Sequence, residues 1–173
     1  MINWLKFFVE LCLLKAAPQD APSSRSALYV TVVSYFAIGT LITLHTQTLL
    51  AATITALIET GLMIFLTNLI LWARKTPERF TQSITSLMGA GTLIGLIAIP
   101  VLNLVTGVGS EEAIASVLWI TLIVWQTLVI GHILRHTMDI PLIAGIGVAL
   151  IYMYMSFAIT LRILKVLAVP LGG

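Results

Sequence analysis

The sequence predicts an all-α integral membrane protein, a helical bundle of five transmembrane helices with an N-terminal interfacial amphipathic helix. Three observations carry that expectation. Of 173 residues, 59% are hydrophobic and only 9% are charged, where soluble domains carry about a quarter charged residues. So few charges cannot cover a globule of this size, and lipid must be the main solvent. Mean hydropathy is +1.07. The apolar residues fall into five runs, each near the roughly 20 residues that a helix needs to cross the hydrocarbon core.

Residues 1–17 read as a short helix. Asn3, Lys6 and Glu10 are spaced three and four apart and form one narrow polar stripe. Trp4, Leu5, Phe7, Phe8, Leu11 and Leu14 make up the rest of its surface. About fourteen helical residues reach roughly 21 Å, short of the roughly 30 Å core. Such a helix lies in the interface with its apolar face down, or packs on the cytoplasmic end of the bundle. An early lysine and an apolar stretch give it the outline of a signal peptide. Glu10 and Lys15 interrupt that stretch, however, and no clean cleavage site follows, so the segment is expected to stay in the mature protein. Residues 18–26 form a loop, within "APQDAPSSRS", where Ser24 or Ser26 is placed to cap the next helix.

Residues 27–173 form the five-helix domain, with spans at about 27–44, 48–73, 82–107, 113–134 and 140–164. The turns between them are short: His45 to Gln47, "RKTPERF" with Pro77, the Gly-rich acidic "GVGSEE", and "RHTMD". Short loops point to one compact bundle. With a cytoplasmic N-terminus, that side carries Lys6, Lys15, Arg25, Arg74, Lys75, Arg79 and Arg135, and the other side only Arg162 and Lys165. Lys and Arg collect on the cytoplasmic side of membrane proteins, so the C-terminus is expected outside. Trp72 and Trp119 fall near opposite interfaces, as belt residues do. The net charge of +2 is small, and the basic residues sit at the ends of apolar runs. Phospholipid headgroups, and not nucleic acid, are their expected partners. A single cysteine, Cys12, excludes an internal disulfide and a multi-cysteine zinc site.

Glu59 is the acid that this architecture has to explain. It stands inside "ATITALIETGLMIFLTNLI", roughly 16 Å along the second span from Thr48. A charged acid at that depth costs at least ~2.5 kcal/mol, so a neutral carboxyl with a hydrogen-bond partner is expected. Ala52, Thr55 and Ala56 share its neighbourhood and let another helix come close, which places Glu59 inward. Gln126 in the fourth span is the first choice of partner and Tyr152 in the fifth the second. Two readings stay open: a proton-accepting or cation-binding group, or a neutral acid that ties two helices together.

Other positions say less. His132 and His136 are four apart, a spacing that lets two imidazoles share a metal. No acidic or cysteine cluster completes a site, so they read as a surface pair beside Arg135, with no metal or cofactor expected. Gly89, Gly91, Gly95, Gly145 and Gly147 are helix-packing positions, and Gly91 with Gly95 forms a GxxxG pair. Such faces serve internal packing or dimerisation alike. Pro100 is expected to kink the third span and free the carbonyl near Leu96. Broken helices line transporter sites, although a single kink is commonly architecture alone. No Ser-Lys pair, paired Asp or His-Glu-x-x-His arrangement suggests catalysis, so a non-enzymatic protein is expected.

The stretches "FFVELCLLKAAPQDAPSS" and "LMGAGTLIGLIAIPVL", with five close-set spans after them or around them, resemble the Yip1-type membrane proteins. That resemblance implies an integral membrane adaptor without catalysis. The short loops also resemble those of small bacterial inner-membrane proteins. The leading expectation is thus a structural or adaptor subunit that acts through helix–helix contacts, with the bilayer and another membrane protein or a second copy as partners. The alternative is a small transporter or proton-coupled component centred on Glu59, Gln126 and the Pro100 kink.

Overall fold

The structure is a computed structural model that describes residues 4–105 and 112–168. The acidic turn around Glu111 and the C-terminal "AVPLGG" from 168 onward fall, apart from Ala168, outside the described residues. Within them the order is α1 (Trp4–Cys12), a short 3-10 turn (Pro18–Asp20), α2 (Arg25–Thr43), α3 (Leu49–Arg74), a second 3-10 turn (Pro77–Arg79), α4 (Phe80–Val105), α5 (Glu112–Met138) and α6 (Leu142–Ala168). All five helices from α2 to α6 are long and apolar enough to cross a membrane. The protein is an all-helical integral membrane protein.

Local chemistry sets the helix ends. Ser24 caps α2 by accepting from the Ala27 N–H at 3.2 Å, and Thr48 caps α3 through the Ala51 N–H at 3.4 Å. Lys75, with φ 59°, and Asp139, with φ 53°, end α3 and α5 in the left-handed conformation. After Asp139 the Ile140 N–H returns to the Arg135 carbonyl at 3.0 Å, which closes the last turn. Arg79 reinforces that end. Its guanidinium meets the Asp139 carboxylate at 2.7 Å and the carbonyls of His136 and Thr137 at 3.4 and 3.3 Å. A cation on the free carbonyls of a helix C-terminus is favoured by both hydrogen bonding and the helix dipole.

The bundle is built around α4, which touches α1, α2, α3 and α5. Residues 83–90 are buried without a break, so this stretch has no lipid-facing side. Its composition allows this. Gly89, Gly91 and Gly95 each lie under a side chain from another helix: Phe8 on Gly89, Tyr35 on Gly91 and Ile38 on Gly95. α5 and α6 cross still more closely. Gly131 faces the backbone of Ile146, and Gly145 faces the Gly131 carbonyl and Arg135. A side-chain carbon on Gly147, by contrast, would meet nothing within 4 Å. Pro100 lies inside α4, on its exposed side, and the helix continues through it to Val105. Around the core, side chains such as Val33, Phe65, Ile120, Leu150 and Phe157 stay exposed and form the apolar surface that lipid covers.

α1 docks on the bundle with Phe7, Phe8, Leu11 and Cys12 buried, and leaves Trp4, Leu5 and Val9 exposed. Its contacts reach well into α4. The Cys12 thiol approaches the Ala90 carbonyl at 3.8 Å, and Gly89 and Ala90 lie roughly 13–15 Å along α4 from Phe80 by helical rise. The Trp125 indole N–H, halfway along α5, donates to the Cys12 carbonyl at 2.9 Å. The chain then climbs back to the end of the bundle where Arg25, Arg74, Arg79 and Arg135 collect, hereafter the basic end.

The α5–α6 crossing yields a direct test. Gly145→Ala forces a carbon into the Gly131 carbonyl and is expected to destabilise the protein in detergent by about 1–3 kcal/mol. Gly147→Ala, where space is open, is expected to be neutral or stabilising by up to ~1 kcal/mol. Thermal unfolding followed by tryptophan fluorescence compares the two. Equal melting temperatures for both variants contradict this crossing.

Candidate functional site

A cavity of about 270 Å³ lies between α2, α3, α4 and α5. It runs from the level of Thr43 and Trp119 inward to Glu59 and Gln126. By helical rise Trp119, Glu59 and Gln126 sit roughly 10–21 Å from the ends of their helices that face away from the basic end, whereas Thr43 is the last residue of α2. Gly39, Gly91, Gly95, Ala56 and Ala98 are among its walls. Small residues on α2, α3 and α4 hold the backbones close yet leave unfilled volume between them and the larger side chains of α5.

Glu59 stands at the inner limit of this space, half-buried. Its carboxyl Oε1 accepts from the Thr160 hydroxyl of α6 at 3.2 Å, and Ser156, one turn earlier, also hydrogen-bonds it. The carboxyl is thus held by α6 while it borders a cavity formed by the other four spans. The sequence brought Gln126 and Tyr152 forward as partners. The structure puts Gln126 on the same cavity wall as Glu59. Tyr152 lies near Glu59 as well, with its hydroxyl close to that of Tyr35. The hydrogen-bond partners themselves, Thr160 and Ser156, escaped sequence reasoning. Their signal was present: two hydroxyls four residues apart share one face of the last span, at the depth of Glu59.

Thr60 adds a second polar group. It is only 6% exposed and lines the cavity, and its hydroxyl has no hydrogen-bond partner among the described residues. Thr31, Thr40, Thr43, Thr92 and Thr127, by contrast, return their hydroxyl to a carbonyl one turn earlier at 2.7–3.0 Å. Thr76, Thr85 and Ser86 share the lack of a partner among the described residues, but none of them lines this cavity. A buried hydroxyl without a partner forfeits hydrogen-bond energy, and that of Thr60 lies just beneath the cavity wall. Trp119, which the sequence placed in an interfacial belt, lines the same cavity. Trp72 is exposed near the end of α3.

A second cavity, of about 190 Å³, lies on the basic-end side and is lined almost wholly by apolar groups, among them Met63, Ile70, Leu134, Ile151 and Met155. Tyr152 forms part of its wall, whereas Tyr35 belongs to the wall of the first. The two tyrosines therefore meet between the two spaces.

The histidines belong to neither. His132 is buried, not on the surface as its spacing suggested, because the returning segment after α1 covers it. Its Nε2–H donates to the Ala16 carbonyl at 2.9 Å. The His136 ring meets that of His132 edge to face, with centroids 4.8 Å apart, and its Nε2 accepts from Arg135 Nε at 3.2 Å. Among the described residues no group of three or more His, Cys, Asp or Glu side chains gathers to hold a metal ion. His132 thus fastens the N-terminal segment to α5.

Comparison with known proteins finds no matching family model, no matching curated protein and no matching solved structure. Function is therefore read from the geometry of the site.

Docking of α1 makes one chemical prediction. Burial pushes the Cys12 thiol up to about 11, so at pH 8 only about one molecule in a thousand carries the reactive thiolate. A maleimide is expected to leave Cys12 unlabelled in mild detergent and to label it once the protein is unfolded in dodecyl sulfate. Labelling at the rate of a free thiol in mild detergent contradicts the docked position of α1.

Proposed function

We propose that this protein is a non-enzymatic, solute-handling membrane component in which Glu59 is the proton- or cation-accepting group. The observation that carries this reading is the cavity that brings Glu59, Gln126 and the unpartnered Thr60 hydroxyl together between four spans. An acid whose only task is to join two helices needs no such space beside it. Intramembrane acids that face a cavity, not lipid, characteristically mark solute or proton pathways. Ligand sites of membrane transporters lie near the bilayer midplane, and Glu59 stands roughly 15 Å into a 26-residue helix.

The adaptor reading loses its main support for a physical reason. It drew on small-residue faces available to a partner. Gly89, Gly91, Gly95 and Gly145 are covered within this chain by Phe8, Tyr35, Ile38 and α5, so of the five glycines that suggested a partner face only Gly147 stays uncovered. The Yip1-type resemblance, which implies an adaptor, remains the rival that the following experiment addresses.

The purified chain is reconstituted into vesicles with a pH-sensitive dye trapped inside, and proton flux is followed after a pH jump or addition of candidate solutes. The expected result is flux that Glu59→Gln reduces at least tenfold, because Gln keeps the hydrogen-bonding shape but neither titrates nor carries charge. Normal behaviour of Glu59→Gln, or no flux with any solute in a broad panel, rejects the reading. The reading also places the basic end in the cytoplasm by the asymmetry of Lys and Arg. Single cysteines introduced at Thr76 and Thr46, in a Cys12→Ser background, are expected to be reached by an impermeant thiol reagent only from the cytoplasmic and the outer side, respectively. The opposite pattern inverts the topology.

A further inference from the structure

We infer that the cavity beside Glu59 binds a small organic ammonium ion with an apolar body. This rests on the reading above and assigns the class of ligand to its site. Charge decides first. Among the described side chains that line the cavity, Glu59 is the one acid and there is no Lys, Arg or His. An anionic solute would meet a carboxyl and no countercharge in a medium of low dielectric constant, whereas a cation is matched.

Size and surface decide next. About 270 Å³ has room for on the order of ten water molecules, more than a bare ion fills. A hard metal cation such as Ca²⁺ or Mg²⁺ demands about six or more oxygen ligands in a close shell. Here the oxygens are spread among Glu59, Thr60, Gln126 and Thr43, and most of the remaining wall is hydrocarbon from residues such as Ile38 and Leu122. Trp119 and Tyr35 contribute aromatic surface to the same space, and aromatic faces attract ammonium groups.

Hydrogen bonding completes the match. The Thr60 hydroxyl is buried, adjacent in sequence to Glu59, and lacks a partner among the described residues. An alkylammonium head offers the donors that the Glu59 carboxyl accepts and, once a small side-chain rotation uncovers it, the Thr60 oxygen as well, and its carbon skeleton fits the apolar walls. A hydrated inorganic cation leaves those walls facing water.

The test uses the full-length chain in mild detergent at pH 7 and reads thermal stability and tryptophan fluorescence. Benzylammonium and n-butylammonium chloride are the probes. Benzyl alcohol, sodium butyrate, NaCl and KCl are the comparison solutes, at matched ionic strength. Saturable stabilisation by the two amines alone is expected, with affinity lowered at least tenfold by Glu59→Gln and at least threefold by Thr60→Val or Trp119→Leu. Thr60→Val preserves shape, so it still reports on the site should the other variants fail to fold. Benzyl alcohol binding as well as benzylammonium overturns the inference in favour of a plain apolar cavity. Stabilisation by NaCl or KCl alone overturns it in favour of an inorganic ion. Absence of any response to the amines overturns it too. If no amine binds while Glu59→Gln still abolishes flux in vesicles, the ligand assignment falls and the carboxyl-centred reading stands. If Glu59→Gln alters neither flux nor ligand response, both fall.

Discussion

The close approach of neighbouring helices to α4 is the contact on which the rest of the bundle depends. Without a hydrophobic drive between helices in lipid, association relies on van der Waals packing and hydrogen bonds. α4 supplies the first through glycines that accept Phe8, Tyr35 and Ile38 from α1 and α2. The same small residues have a second effect. Beside them Gly39, Ala56 and Ala98 bring no large side chain to the same region, and between these walls and those of α5 a cavity of about 270 Å³ remains. Tight packing lower in the bundle and an open volume higher up follow from one choice of residue size.

A second constraint comes from the N-terminal segment. Residues 13–24 contain little regular helix, yet they run beside α4 and α5, where backbone groups need protein partners in place of water. The polar side chains of the inner helices meet that need. Trp125 serves the Cys12 carbonyl, His132 that of Ala16, and Gln82 those of Gln19 and Ala21 at 2.9 and 3.3 Å. Gln19 in turn donates to the His136 carbonyl at 3.0 Å. Polar residues that looked like chemistry in the sequence, His132 above all, are thereby accounted for as fastenings. Glu59 and Thr60 have no comparable duty to irregular backbone.

The sequence made the five spans legible because an apolar run of about twenty residues is hard to shelter anywhere but in lipid, and the turns carried strong breakers such as Pro77 and a cap at Ser24. The depth of Glu59 was legible from helical rise. Its partner was not. Gln126 and Tyr152 are the larger polar groups at that depth, but the rotation of each helix about its axis decides which side chains meet, and rotation is set by contacts between helices. Thr160 has a short side chain that looks inert in an apolar run. Likewise the periodicity of α1 gave an amphipathic helix but not its depth, which depends on Phe8 finding Gly89. The packing role of Gly131 was hidden because it stands alone, without a second glycine four residues away.

The arrangement of the two cavities bears on what the proposed reading requires. A component that passes a solute or proton across the bilayer must never be open to both sides at once, and alternating access is achieved by moving a barrier past a fixed site. In this structure the polar cavity ends inward at Glu59, and the apolar cavity begins at Tyr152. The layer between them contains the two tyrosines and the Glu59–Thr160 hydrogen bond. Such a bond contributes about 0.5–1.5 kcal/mol net. On the proposed reading, binding energy of a few kcal/mol at Glu59 is enough to bias a contact of that size. Because Thr160 is on α6 and the cavity walls are on α2 to α5, a ligand that draws the carboxyl into the cavity acts on the contact between α6 and the rest of the bundle. The acid is placed where occupancy of the site and the position of one helix are felt together.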